Sequence, residues 1–244
     1  MMITVIGRGH SGTRLMSNVL SASGVYMGAE LNPSGDLVPP DDLYEACRVM
    51  ARHVVHLGGL KWDFSALHTM PIDPEWTRLV ESYLASVLAS DAPLVGWKLP
   101  ETVLIYPWIV RMFPKAYYLH WVRDPRDSIM GGHVTDDLAD FGVAYEPTDD
   151  LIRKRAISWY YQREIVRATP AWTHRRLVRY EDFLENQQRE LNRLRRFLGF
   201  RLEPVPVRPG PLYKWKDDDG SHYFDFFAED LAELGYEPNP TPGR

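Results

Sequence analysis

The chain has a single cysteine, Cys47, so no disulfide can close within it, and a reducing compartment is the natural expectation. No stretch approaches the roughly 18 consecutive apolar residues of a membrane helix. Met1 leads straight into an apolar run with no basic leader, so a cytoplasmic protein with no membrane partner is expected. Positive charge is not in excess: 28 Lys and Arg stand against 33 Asp and Glu, for a net charge of −5. That balance argues against a nucleic-acid partner held by phosphate contacts, and any basic site must be local. The eight histidines show neither H-x-x-x-H nor H-E-x-x-H spacing, so no metal is expected. There is no internal repeat or low-complexity tract.

What is present is an ordinary globular composition, 45% hydrophobic and 25% charged over 244 residues, enough for one α/β domain spanning 1–244. Residues 237–244 read as a fraying tail. Strands are expected at Ile3–Ile6, Leu94–Lys98, Ala116–Val122 and Arg175–Arg179, with Val25-Tyr26 as a possible short fifth. Helical patterns cover Thr13–Ala22, Asp42–His56, Pro74–Ser90, Glu101–Met112, Pro125–Gly131, Asp150–Ala168, Gln187–Leu198 and Phe224–Leu234. The prolines at 204, 206, 209 and 211 make Arg201–Leu212 an extended connector, and Glu30–Pro40 reads as a loop that shapes a site. Strands alternating with helices predict a central, mostly parallel sheet flanked by helices, a three-layer α/β fold.

The first strand runs into Gly7-Arg8-Gly9-His10-Ser11-Gly12-Thr13-Arg14 and then a helix. A Gly-rich turn into a helix N-terminus gathers unpaired N–H groups and the positive end of the peptide dipole, so it binds anions. Gly7 and Gly12 have the spacing of a nucleoside triphosphatase loop, yet Thr13 stands where the lysine belongs and Arg14 where the Mg²⁺-binding hydroxyl belongs. The cradle is present without its ATP-specific cation.

A second anchor is Arg123, at the end of Ala116–Val122. The carboxyl edge of a parallel sheet is where α/β proteins bind ligands, and a guanidinium fork matches a phosphate. The residues after it have a structural reading. Asp124 suits a helix N-cap, Pro125 the first helical position and Asp127 the acid of a capping box.

Together these segments resemble the sulfotransferases that use 3′-phosphoadenosine 5′-phosphosulfate (PAPS) and release adenosine 3′,5′-bisphosphate (PAP). His10-Ser11-Gly12-Thr13 is similar to the family's 5′-phosphosulfate loop. Phe113-Pro114-Lys115-Ala116 through Arg123-Asp124-Pro125-Arg126-Asp127 is similar to its 3′-phosphate motif. Gly96-Trp97-Lys98-Leu99-Pro100, Arg179-Tyr180-Glu181-Asp182, Phe197-Leu198-Gly199-Phe200, Tyr213-Lys214-Trp215-Lys216 and Leu234-Gly235-Tyr236-Glu237-Pro238 continue the likeness in family order. The resemblance implies a P-loop-like fold and a site for PAPS built from Arg8, Gly9, Ser11, Gly12, Thr13, Arg14, Arg123, Ser128, Tyr180, Lys214, Trp215 and Lys216. It implies catalytic roles for His10 at the breaking bond, Lys98 on the sulfuryl oxygens and Glu30 as base, and a small-molecule acceptor. Two positions depart from the family: His10 replaces a lysine or arginine, and Gly131 replaces a serine of the 3′-phosphate clamp. His133, His53 and His56 are alternative bases. A nucleotide kinase on the same fold and a non-catalytic PAP-binding relative are the alternative functions.

Overall fold

The computed structural model describes residues 1–170, 174–207 and 212–240. Four strands, β1 (Met2–Ile6), β4 (Val95–Lys98), β5 (Tyr117–Val122) and β6 (Arg175–Arg179), form one sheet in the order β4-β1-β5-β6, with every pair parallel. Tyr26 adds only a single parallel bridge to Val95. A separate hairpin pairs β2 (Val55–His56) with β3 (Trp62–Asp63).

The helices are α1 (Thr13–Ala22), α2 (Asp41–Ala51), α3 (Ser65–Thr69), α4 (Pro74–Tyr83), α5 (Ala85–Leu88), α6 (Tyr106–Met112), α7 (Pro125–Ser128), α8 (Leu151–Ala168), α9 (Tyr180–Glu185), α10 (Gln187–Leu198) and α11 (Ala228–Leu234). The period-2 alternation of the strands divides the core. Ile3, Val5, Leu119, Trp121 and Val178 pack against Met16 and Leu20 of α1 and Leu191 and Leu194 of α10. Ile6, Trp97 and Tyr118 face the opposite layer, with Val49 of α2, Trp76 of α4, Trp108 of α6 and Tyr161 of α8. A sheet between two helical layers is the result. No described helix is long and apolar enough to cross a membrane.

Several expected boundaries shift for local reasons. The helix expected over Glu101–Met112 is a 3₁₀ turn, Pro100–Ile105, followed by α6. Pro107 has no N–H to donate back to Val103, so a continuous α ladder cannot pass it. Of the proline-rich connector, 201–207 carries no regular structure and 208–211 lies outside the described residues. The tail is held as far as Asn239: Arg126 Nη2 donates to the Glu237 carbonyl (2.8 Å) and Nη1 to Asn239 Oδ1 (3.4 Å).

Candidate active site

At the carboxyl end of the sheet, β1 hands over to α1 through Gly7–Gly12. Gly12 is the N-cap with φ 94°, and it contributes no side-chain cap. Among the described residues, no acceptor takes up the N–H groups of Gly12, Thr13 or Arg14. They are the open donors that a helix N-terminus offers an anion. A Cβ on Gly12 would come within 2.5 Å of the Tyr180 ring, so the turn admits only glycine. From beneath, Trp121 Nε1 donates to the Ser11 carbonyl (2.7 Å) and pins the loop to β5.

The loop opens into a cleft of about 780 Å³. Gly9, His10, Gly12, Thr13 and Arg14 line one wall, and Arg123 and Tyr180 line the same space. Arg123 donates through Nη1 to the His10 carbonyl (3.3 Å) and through Nη2 to Asp127 Oδ2 (3.1 Å). Its Cζ lies 4.9 Å from the centroid of Tyr180. Its Nε is buried without a partner. Thus the two segments expected from the sequence to hold phosphates, more than a hundred residues apart, meet at one opening.

Lys98, at the end of β4, lines the cleft too. Its Nζ donates to the Ser34 carbonyl (2.8 Å) and is ion-paired with Asp36. Burial pushes the ammonium pKa down while Asp36 opposes the shift. The approach is set by the backbone: Leu37 N–H donates to the Lys98 carbonyl (3.0 Å), registering the 32–36 turn against the end of β4. Asn32 Oδ1 closes that turn by accepting the N–H groups of Ser34 (2.8 Å) and Asp36 (3.0 Å). Arg14 reaches the same turn, donating to Ser34 Oγ (2.8 Å).

Other expected site residues face elsewhere. Arg8 is 4% exposed and turned inward, donating to the Ser128 carbonyl (2.7 Å) and Asp136 Oδ1 (2.5 Å). Burial lowers its pKa to about 10, which still leaves it a cation at neutral pH. It anchors the loop from behind rather than lining the cleft. Ser11 donates both its N–H (3.3 Å) and its hydroxyl (2.5 Å) to the Arg8 carbonyl. Ser128 is fully buried, with an unpartnered hydroxyl, and cannot meet a ligand. Trp215 is buried under the Arg126 guanidinium, 3.4 Å from the ring centroid, so its stacking face is taken. Lys216 is paired with Glu237 (2.8 Å), Lys214 is exposed, and neither lines the cleft. Glu30 is exposed and also outside it.

Asp127 does not complete a capping box. Asp124 does cap α7 through Arg126 N–H (3.0 Å), but its own N–H goes to Glu181 Oε1 (3.0 Å). The buried Asp127 instead binds Arg123 and accepts the N–H groups of Tyr213 and Trp215 (both 3.0 Å).

His10 has φ 61° and projects its ring over Gly131, where an added Cβ would lie 2.8 Å from Nδ1. The two departures from the family pattern are therefore in contact. Burial and the charge of Arg8 hold the imidazole below its ordinary pKa, so without a ligand it is neutral at pH 7. A polyanion would act in the opposite sense.

His133 and Glu101 were not singled out as a pair by the sequence. His133 lines the cleft, its ring 6.0 Å from that of His10. Its Nε2 stands 3.7 Å from Glu101 Oε1, and burial with nearby Arg8 lowers its pKa to about 4. Glu101 is sealed behind the cleft, with Oε2 unpartnered, and burial raises it from 4.5 to about 7. Between those values the folded state keeps a proton that the unfolded chain releases. Stability therefore falls as pH rises through this window and levels off above it. Glu101→Gln should abolish that slope. At pH 8 the variant is expected to be more stable than the wild type by up to about 3 kcal/mol, and at pH 4.5 by less than about 0.5 kcal/mol. Urea unfolding at the two pH values reads this directly.

Comparison with known proteins places this geometry. The chain is similar to the sulfotransferase domain from the curacin biosynthetic pathway, with 15% identity and a TM-score of 0.55 over 97% of this chain and 98% of that one. It is also similar to a sulfotransferase from Alicyclobacillus acidocaldarius, with 17% identity and a TM-score of 0.50 over 95% and 93%. At such identities the likeness speaks to the fold. A search of curated proteins finds no match. Residues 3–204, however, match the model of the sulfotransferase family, a span holding the Gly7–Gly12 loop, Lys98, Arg123 and Tyr180. The chain belongs to the sulfotransferase family.

Proposed function

We propose that this protein transfers the sulfuryl group of PAPS to a hydroxyl or amine of a small-molecule acceptor. The observation that carries this reading is the shared opening of the Gly7–Gly12 loop and Arg123 into one cleft of about 780 Å³, which suits a nucleotide with phosphates at both ends.

PAPS would supply an activated sulfuryl group on a phosphate anhydride. The N–H groups of Gly12, Thr13 and Arg14, with the Arg14 guanidinium, would hold the 5′-phosphosulfate. Arg123 would bind the 3′-phosphate, with Asp127 fixing the fork, and Tyr180 would border the adenine. Lys98 would meet the sulfuryl oxygens and His10 the departing phosphate oxygen once the ligand's charge raises its pKa. Arg8, Ser11, Ser128 and Trp215 support these groups from behind.

A thermal-shift titration tests the proposed donor against the kinase alternative, and turnover of PAPS separates an enzyme from a non-catalytic PAP-binding relative. PAP at about 100 times its Kd should add about 2.7 kcal/mol, or about 5–10 °C for a chain of this size. ATP with Mg²⁺ should add less than PAP. A larger shift with ATP–Mg²⁺ would favour a kinase, and no shift with PAP would remove the proposed donor.

A further inference from the structure

We infer that Asp36 is the base that takes the acceptor's proton, an assignment that rests on the sulfuryl-transfer reading above. Among the described residues lining the cleft, Asp36 is the only carboxylate. It sits against Lys98 Nζ. If Lys98 holds the transferring sulfuryl oxygens, a carboxylate in contact with Nζ is within reach of a hydroxyl approaching the sulfur.

The geometry leaves Asp36 able to accept. Its Oδ1 takes Lys98 and its Oδ2 takes Asn32 Nδ2 (3.0 Å). Each carboxylate oxygen has a second lone pair. The side chain is fixed by the Asn32 turn and by Leu37 N–H on the Lys98 carbonyl, so little reorganisation is needed at the moment of transfer.

The rivals fail on position. Glu30, His53 and His56 lie outside the cleft, and Glu101 is sealed behind it. His133 has Nδ1 against the Thr135 hydroxyl (3.0 Å) and the Thr135 N–H (3.3 Å), and Nε2 toward Glu101. Nδ1 of His133 is therefore taken, and Nε2 faces Glu101 and Gly9 rather than Lys98, where the sulfuryl group would lie.

The step balances without a further reactant. The acceptor oxygen lone pair forms the O–S bond, and the bond from sulfur to the phosphate oxygen breaks. Its electron pair leaves on PAP. The acceptor proton passes to Asp36 and then to solvent. Water can serve as acceptor, so sulfate release from PAPS gives a readout that does not require the natural substrate.

The test compares the wild type with Asp36→Asn, which keeps an acceptor oxygen for Lys98, and Asp36→Ala. PAPS cleavage is followed with water and with a panel of alcohols, phenols and amines, alongside calorimetry with PAP. Both variants should lose at least about 100-fold in turnover while PAP affinity stays within about threefold. Added formate should restore part of the Asp36→Ala rate and none of the Asp36→Asn rate, because only alanine leaves space for a carboxylate. Should Asp36→Asn fail to fold, formate rescue of Asp36→Ala decides alone. Turnover within about threefold of the wild type in either variant, or no formate rescue, overturns the assignment. A wild type that binds no PAP, or binds it and cleaves PAPS no faster than buffer, overturns the sulfuryl-transfer reading and this assignment with it.

Discussion

Arg123→Ala is expected to weaken PAP binding by about 10- to 150-fold, the loss that follows from removing a charge-assisted phosphate contact of about 1.5–3 kcal/mol. Calorimetry measures it. The number is large because Arg123 is already oriented: Asp127 and the His10 carbonyl hold two of its nitrogens toward the loop. Little side-chain entropy is lost on binding. Arg123→Lys should fall between the two, since a point charge on a flexible stem cannot reproduce the fork. Asp127 keeps the N–H groups of Tyr213 and Trp215 in either variant, so the fold should survive. An unchanged PAP affinity in Arg123→Ala would separate Arg123 from the ligand.

Gly7→Ala should be the most destabilising single-methyl change in the Gly7–Gly12 loop, by about 3 kcal/mol or more. Gly7 has φ 149°, and a Cβ there would overlap the backbone carbonyl oxygen of Trp121. A strand backbone in the middle of the sheet cannot yield as a side-chain tip can. Gly24→Ala is the internal control. It too has positive φ, at 85°, but open space around it, so only the conformational penalty of about 1 kcal/mol remains. Melting temperatures should fall by about 6–12 °C for Gly7→Ala and by about 2–4 °C for Gly24→Ala. Equal losses would show that packing against β5 contributes nothing.

The sheet was legible because its strands are short apolar runs ended by chemistry-bearing residues: Ile3–Ile6 before Gly7, and Ala116–Val122 before Arg123. Helix α1 starts at Thr13 as expected, because Gly12 is both turn and cap. The β2–β3 hairpin was missed, since two-residue strands carry no measurable alternation. At the site, glycine spacing pointed to the loop and a strand end to Arg123, the family resemblance pointed to Lys98, and the structure brings all three to one cleft. It could not say which way each loop residue faces. Arg8 turns inward because Asp136 awaits it, and that partner lies 128 residues away. Asp36 had no motif around it. Tertiary contacts, among them the hydrogen bond from Leu37 to the end of β4 and that from Lys98 to the Ser34 carbonyl, bring it beside Lys98. The Asn-x-Ser-Gly-Asp turn is the signal that could have pointed there.

The ring of His10 standing in the space above Gly131 has a historical consequence. The two positions are coupled, because a Cβ at 131 would lie 2.8 Å from Nδ1 of this histidine and the imidazole would have to turn aside to admit a serine. A lineage passing between the two arrangements meets the least crowding if it changes residue 10 before it enlarges residue 131, and empties residue 131 before it acquires the imidazole. Relatives carrying both groups at once should hold the imidazole in a different orientation.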